Sequence, residues 1–307
     1  MTETLRIGTR GSPLALAQAD EVIARLRTAH PRIRPEVVVI KTHGDEGYRS
    51  DLGTGLDGKQ AFTKRIEEAL FEGRIDAAVH SLKDVPTDLV DGLVLAAIPP
   101  RVDPRDVLVT KDERSLAHLA PGVRVGTSSL RRRAQLLARW PGLEIVELHG
   151  NVGTRLRRLE ANDFDAIVVA AAGIHRLGLG GPRIEPIDPD VVTPAPGQGA
   201  LAVQARADDD RVHGFLRSID DPISRRATEA ERALSARIGG GCNVPLGALA
   251  TLADGTLSLR AVVASVDGRR LVRASVRGPA ENWEGLVDDA VRRLRSDGAR
   301  EILEEAG

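Results

Sequence analysis

The stretch LRIGTRGSPLALAQAD (5–20) reads as a β-branched strand, a Gly-Thr turn and a helix entered through Ser12-Pro13. Serine suits that entry because its hydroxyl can cap a free helix N–H, and proline at the first helical position has no N–H to leave unpaired. The order returns in VRVGTSSLRRRAQL (123–136), where Arg6-Ile7-Gly8-Thr9 followed by Ser12 is matched by Arg124-Val125-Gly126-Thr127 followed by Ser128 and Ser129. A second echo lies downstream of each copy: Asp76-Ala77-Ala78-Val79 in the first, Asp165-Ala166-Ile167-Val168 in the second. The shared order predicts two α/β domains of like topology facing one cleft.

Working outward, strand-like runs fall at EVVVIK (36–41), DAAVH (76–80) and LVLAAI (93–98), with helical spacing over 14–29 and 62–72. The same alternation resumes with DVLVT (106–110), VRVGT (123–127), LEIVEL (143–148) and FDAIVVA (164–170), with helices over 129–139, 154–161 and 171–177. Strands alternating with helices in this way predict mostly parallel sheets. From Pro222 the pattern changes to one long helical stretch through Ile238, strands near 246–253, 257–265 and 270–277, and a closing helix from about Asn282. That reads as a smaller α+β module with a three-stranded antiparallel sheet. The expected division is a first domain of 1–100 with 198–219, a second of 101–197 and a third of 220–307. The Pro/Gly-rich segments 99–104 and 194–199 are the expected crossings between the first two. Residues 44–58, rich in Gly and Asp, are a candidate mobile lid.

The 307 residues carry a formal net charge of -1, so no global field recruits polyanions or an acidic membrane surface. Aromatic residues are only 2%, too few for a base-stacking platform. Cys242 is the one cysteine, which excludes an intrachain disulfide and a cysteine-based zinc site. No histidine pair has metal-ligand spacing, and no phosphate-binding glycine motif is present, so neither metal nor nucleotide chemistry is expected. The N-terminal segment lacks the pattern of an export signal, and no run of about 18 apolar residues occurs, so a cytoplasmic protein is expected. Without an evident large apolar stripe, a monomer with no nucleic-acid or membrane partner is the default.

Four signals carry chemistry. The two Gly-Thr turns lead into helix starts where Ser12, Ser128 and Ser129 either cap only or, with arginines nearby, help bind anions. Five of the 43 basic residues are lysine and the rest arginine, so position matters more than abundance. Arg10, Arg131, Arg132, Arg155 and Arg176 fall just past strand ends or in first helical turns, where ligands bind in open α/β sheets. In HSLKDVP (80–86), Lys83 and Asp84 are either ordinary surface charges or, at a strand's C-terminal end, functional groups: Lys83 to hold a carboxylate or form a Schiff base, Asp84 to protonate an amine leaving group or stabilise a developing cation. In GGGCNVP (239–245), three glycines precede Cys242; a small core thiol and a covalently modified one are both open, and the glycines favour a turn that admits another group.

RIGTRGSPLALAQA (6–19), GKQAFTKRIE (58–67), DAAVHSLKDVPT (76–87), DPRDVLV (103–109), VGTSSLRRRAQL (125–136), HGNVGTRLRRL (149–159), APGQGALAV (195–203) and GGGCNVPLGA (239–248) together resemble the hydroxymethylbilane synthase, or porphobilinogen deaminase, family. The resemblance runs from about residue 5 to the C-terminus. It implies two periplasmic-binding-protein-like α/β domains around a cleft and a third domain carrying the cofactor cysteine. It implies a transferase of porphyrin, heme and tetrapyrrole biosynthesis that joins four porphobilinogen molecules, with loss of ammonia, and releases linear hydroxymethylbilane. It further implies a dipyrromethane cofactor held by a thioether to Cys242. Each pyrrole bears an acetate and a propionate, so six rings present about twelve carboxylates for charge-assisted pairing with arginine.

By matched position, Asp84 is the catalytic carboxylate: it assists ammonia departure, stabilises the azafulvene cation and helps remove the ring proton. Lys83, Ser81, Thr127, Ser128, Ser129, Arg131, Arg132, Arg155 and Gln198 match cofactor-binding positions. Arg10, Ser12, His149, Arg155 and Arg176 match substrate-binding ones, and Lys59 matches a lysine of the active-site loop. No metal is implied. Two positions depart from the family pattern: His149 stands where an arginine is common, and Gln60 where a glycine is common after Lys59. The competing reading is a non-catalytic module whose arginines merely hold an anionic ligand; it leaves Cys242 without a role.

Overall fold

The computed structural model describes residues 3–41, 60–111, 115–116, 119–181, 183–239 and 244–306. Lys59, Cys242 and the 44–58 segment lie outside the described residues. The chain divides into two compact units, Met1–Val102 with Ala200–Arg225 and Asp103–Gly199 with Arg226–Gly307.

In chain order, the first unit opens with β1 (Glu3–Thr9), α1 (Pro13–Ala29), β2 (Ile33–Val39), α2 (Gln60–Phe71), β3 (Ala77–Ser81), a 3-10 turn (Leu82–Asp84) and β4 (Leu93–Ala97). The second follows with β5 (Asp106–Thr110), β6 (Arg124–Gly126), α3 (Leu130–Arg139), β7 (Glu144–Val146), α4 (Val152–Glu160), β8 (Ala166–Ala170), α5 (Ala171–Arg176) and β9 (Ile184–Pro186). β10 (Leu201–Arg206) and α6 (Asp210–Leu216) return to the first unit. After α7 (Pro222–Ile238) come β11 (Leu246–Ala253), β12 (Thr256–Ala264), β13 (Leu271–Pro279), α8 (Trp283–Ser296) and α9 (Ala299–Ala306).

The strand orders are β2-β1-β3-β10-β4 and β7-β6-β8-β5-β9, the same pattern twice. In each sheet four strands run one way and a single strand, β10 or β5, runs against them. The expectation of two mainly parallel α/β sheets holds, with that antiparallel strand added. The sequence echoes fall on one recurring device. The Arg6 amide donates to Asp76 Oδ2 at 2.7 Å while Asp76 N donates to Arg6 O at 2.8 Å. In the second sheet the Arg124 amide donates to Asp165 Oδ2 at 2.8 Å and Asp165 N to Arg124 O at 2.9 Å. Each aspartate thereby satisfies a strand N–H that the ladder would leave open. The glycines that follow sit against packed side chains: a Cβ at Gly8 would lie 2.3 Å from Ile75 Cδ1, and one at Gly126 2.9 Å from both Leu148 Cδ2 and Phe164 Cδ1, so a larger residue at either place forces its neighbours to shift.

Both faces of each sheet are covered, as parallel sheets demand. Leu5, Ile7, Val79 and Val203 pack with Val22 and Leu26 of α1, while Ala78 and Ile75 pack with Ile66 and Leu70 of α2. In the second sheet Val125 and Val168 meet Leu136 of α3, and Ile167 and Val169 meet Leu148, Leu159 and Phe164. Burying each such side chain contributes about 1.5–3 kcal/mol. β11, β12 and β13 form the antiparallel meander, its core completed by Leu234, Val287, Leu294 and Ile302. The single closing helix expected from Asn282 is two helices, because Gly298 takes a left-handed φ of +94° directly after α8. β9, β10 and α6 were not anticipated; β9 is three residues long, and the apolar run of β10 follows directly on the Pro/Gly-rich 194–199 segment, read as a crossing.

Candidate active site

In the first unit β1 and β3 are parallel neighbours, so the segments leaving them emerge along one edge of the sheet. Arg10 and Ser12 follow β1; Ser81 closes β3, and Lys83 and Asp84 follow it. Ser12 Oγ accepts from Ala15 N at 3.2 Å and caps α1, worth about 1 kcal/mol. Gln18, buried on α1, donates from Nε2 to Ser81 Oγ at 2.8 Å and ties the helix to the end of β3. The turn beyond is pinned by two buried side chains, Leu82 and Val85, and closed by Val85 N donating to Leu82 O at 3.1 Å. Between them Lys83 is half-buried and Asp84 exposed, a carboxylate held outward by apolar anchors on either side. Behind the turn, His80 is buried and its imidazole pushed down to about 4 by that burial, with Asp84 opposing and Arg10 reinforcing the shift.

In the second unit β7, β6 and β8 are parallel and likewise end on one edge. Thr127, buried, accepts from Ser129 N at 3.2 Å; Ser129 Oγ caps α3 through Arg132 N, and Asn151 Oδ1 caps α4 through Thr154 N at 2.9 Å. Ser128 is half-buried at the same turn. Arg131 and Arg132 are buried and converge on Asp106, itself fully buried: Arg131 Nη1 reaches Oδ2 at 2.7 Å, and Arg132 reaches Oδ1 from Nη2 at 2.7 Å and Nε at 3.0 Å. Carbonyls take further donors, Thr193 O from Arg131 and Val168 O from Arg132. Gln198 Nε2 donates to Pro104 O at 2.7 Å and Asp106 Oδ1 at 3.0 Å. Burial works against the Asp106 charge, yet the two guanidiniums hold its carboxyl far below the usual range. Burial also lowers the Arg131 guanidinium, with Asp106 opposing and Arg132 adding like-charge repulsion.

Two guanidiniums against one carboxylate leave this cluster with a surplus positive charge. Arg155, beside it on α4, extends the surplus. Its Nε donates to Gly150 O at 2.7 Å, and among the described residues no carboxylate pairs with it. Burial, then repulsion from Arg132, pushes its guanidinium down to about 10. Arg176 is half-buried and donates to Gly199 O at 3.2 Å. His149 is exposed, 3.3 Å from Glu147 Oε2. The donors outnumber the acceptors, so the donor set fits a ligand rich in carboxylates. Among the described residues no cluster of His, Asp or Glu could hold a metal ion.

Arg10, Ser12, Ser81, Lys83 and Asp84 thus share one sheet edge in the first unit, and Thr127, Ser128, Ser129, Arg131, Arg132, Arg155 and Arg176 share one in the second. Sequence reading left Asp106 without a role, although it sits inside the quoted DPRDVLV stretch and opens an apolar strand. It also overlooked Gln135, whose side chain brackets Thr193 by donating to its O at 3.1 Å and accepting from its N at 2.7 Å. A buried aspartate at a strand start, ahead of an Arg-Arg pair, was the available signal.

A family model described as "Porphobilinogen deaminase, dipyromethane cofactor binding domain" matches residues 5–214, and one described as "Porphobilinogen deaminase, C-terminal domain" matches residues 226–295. The porphobilinogen deaminase of Syntrophotalea carbinolica is 48% identical over 98% of this chain and 96% of that one. That of a Roseiflexus species is 50% identical over 99% of each. Among solved structures, the methionine-binding protein MetQ aligns at 16% identity with a TM-score of 0.45, over 75% of this chain and 94% of that one. With family models covering most of its length and relatives near half-identical end to end, the chain belongs to the porphobilinogen deaminase family.

Proposed function

We infer that the chain carries out the reaction of its family, condensing four porphobilinogen molecules into linear hydroxymethylbilane with loss of ammonia at each step. The observation that bears most on this is the surplus of positive charge at buried Arg131 and Arg132 and half-buried Arg155, which calls for an anionic ligand. A dipyrromethane group, when bound, supplies the nucleophilic pyrrole carbon and carboxylates for those arginines to hold. Arg155, Arg176 and the α3 entrance at Thr127, Ser128 and Ser129 are the groups we assign to that holding, with Arg131, Arg132 and Gln198 braced by Asp106. Arg10, Ser12, Ser81, Lys83 and His149 take the remaining carboxylate contacts.

Asp84 carries the chemistry in this reading. As the C–N bond breaks and ammonia leaves with the electron pair, positive charge grows on the pyrrole, and an outward-held carboxylate stabilises it. The pyrrole carbon that donates the electron pair of the new C–C bond must then lose its proton; Asp84 would accept it and pass it to ammonia or water. Its exposed position leaves the carboxylate open to a substrate on the outer side of the turn. Cys242 is proposed as the thioether anchor, Lys59 as a contact from the neighbouring loop, and 220–307 as the domain bearing the thiol. A cytoplasmic monomer is part of the same proposal, checked by fractionation and sedimentation. Among the described residues no helix is long and apolar enough to cross a membrane.

Intact-mass measurement on the purified protein tests the assignment. An adduct of two pyrrole units on the parent, absent from Cys242→Ser together with porphobilinogen consumption, is expected; a fully active protein of unmodified mass would refute it.

A further inference from the structure

The repeated strand order lets the two sheets be compared position by position. Gly8 pairs with Ala78 as Gly126 pairs with Ile167, so His80 in β3 corresponds to Val169 in β8. On the antiparallel neighbours, Gln204 opposite Ala78 corresponds to Val109 opposite Ile167. In the second sheet Val109 and Val169 belong to an apolar cluster with Phe164 and Ile174. In the first, the same two places hold a histidine and a glutamine, His80 Nε2 lying 3.2 Å from Gln204 Oε1. Thr63 and Glu67 of α2 join them, and all four are buried, from 0% exposure at Gln204 to 9% at Glu67.

The fold therefore accepts a pair of valines here, and a buried polar set is the costlier solution. That cost is met only in the sheet whose strand leads into Asp84. The bonding has a direction. Burial raises the Glu67 carboxyl, and Gln204 and Thr63 oppose that rise as hydrogen-bond donors. Among the described residues Gln204 Nε2 has no partner at direct hydrogen-bond distance. The amide oxygen of Gln204 can only accept, so the imidazole that meets it carries its hydrogen on Nε2. The charged groups that act on His80 are Asp84 and Arg10.

We propose that Gln204 and His80 are positioning residues for Asp84, a buried cross-strand ladder that fixes the imidazole at the end of β3 and so fixes how the turn four residues on presents its carboxylate. The proposal deepens the reading of Asp84 as the catalytic carboxylate and rests on it.

The test installs the second sheet's own pair, His80→Val with Gln204→Val, in the full-length holoenzyme. Removing both partners for apolar groups of similar size leaves folding stability nearly unchanged. A merely structural ladder then predicts parental kinetics. The positioning role predicts parental circular dichroism and KM with kcat lower by about tenfold or more, and His80→Gln, which keeps a donor nitrogen toward Gln204, recovering to within about threefold. A folded double variant with parental kcat, or one in which only KM changes, overturns the proposal. If the double variant does not fold, Gln204→Leu assayed the same way decides, with a selective fall in kcat again required. Asp84→Asn run alongside separates the two readings. An active Asp84→Asn removes the catalytic assignment, whereas an inactive one beside a fully active double variant removes the ladder alone.

Discussion

Replacing Arg155 with methionine should make the cofactor-free protein more stable while disabling it. Burial first, and then repulsion from Arg132, pushes the Arg155 guanidinium down to about 10. A base whose folded pKa is depressed costs stability while it is protonated, and the cost disappears as pH rises from about 10 through the ordinary arginine range. At neutral pH the full shift corresponds to about 3 kcal/mol. Water reaching the half-buried group reduces this to roughly 2 kcal/mol, and the lost Nε–H bond to Gly150 O returns about 1 kcal/mol. The net gain is about 1 kcal/mol, a melting temperature about 2–4 °C higher for a unit of this size. Methionine keeps the apolar stem, so packing on α4 is largely preserved. The measurement is differential scanning calorimetry on a Cys242→Ser background, where no carboxylates are tethered, paired with turnover in the otherwise unaltered protein. Turnover should fall at least about tenfold, because a carboxylate loses its charge-assisted partner. A melting temperature several degrees lower than that of the background would show that the guanidinium is already compensated, and the reasoning from surplus charge would fail.

Asp106→Asn acts in the opposite sense. It strands Arg131 and Arg132 without their shared carboxylate and should cost about 3–5 kcal/mol, read as a melting temperature lower by about 10 °C. Because the Asp106 carboxyl is held far below its ordinary value, its contribution is complete above about pH 4 and is lost only as pH falls below that. Acid titration of the parent against Asp106→Asn should show the stability difference narrowing there; a constant difference would contradict the pairing. Asp84→Asn should lower kcat by about a hundredfold or more with unchanged circular dichroism, and near-parental turnover would remove Asp84 from the chemistry.

The duplicated architecture was legible because its signals are local. Glycine at 8 and 126 and aspartate at 76 and 165 each answer a steric or hydrogen-bonding demand one or two residues wide, so the demand leaves the same letters twice. Capping at Ser12 and Ser129 was legible for the same reason. What escaped was set by distant partners. The apolar run of β10 is also what a short core helix would show, and only pairing with β3 and β4 settles it. Asp106 reads as a strand-opening polar residue until two arginines 25 and 26 positions away are seen to meet on it. Arg131 and Arg132 stand in the first turn of α3 as read, but their first commitment is to that aspartate. His80 and Gln204 are 124 positions apart, and no periodicity connects them.

The antiparallel strand of the first sheet arrives late in synthesis. β4 ends at Ala97 and β10 begins at Leu201, whereas the second sheet draws all five of its strands from one continuous span. On the ribosome the nascent N-terminal half must wait about 5–20 s for its missing strand at ordinary elongation rates. Throughout that delay β3 and β4 each lack a neighbour, and unpaired strand edges are where chains adhere to one another. The later-encoded sheet can close first, and chains released before Leu201 are the ones expected to require a chaperone or to aggregate.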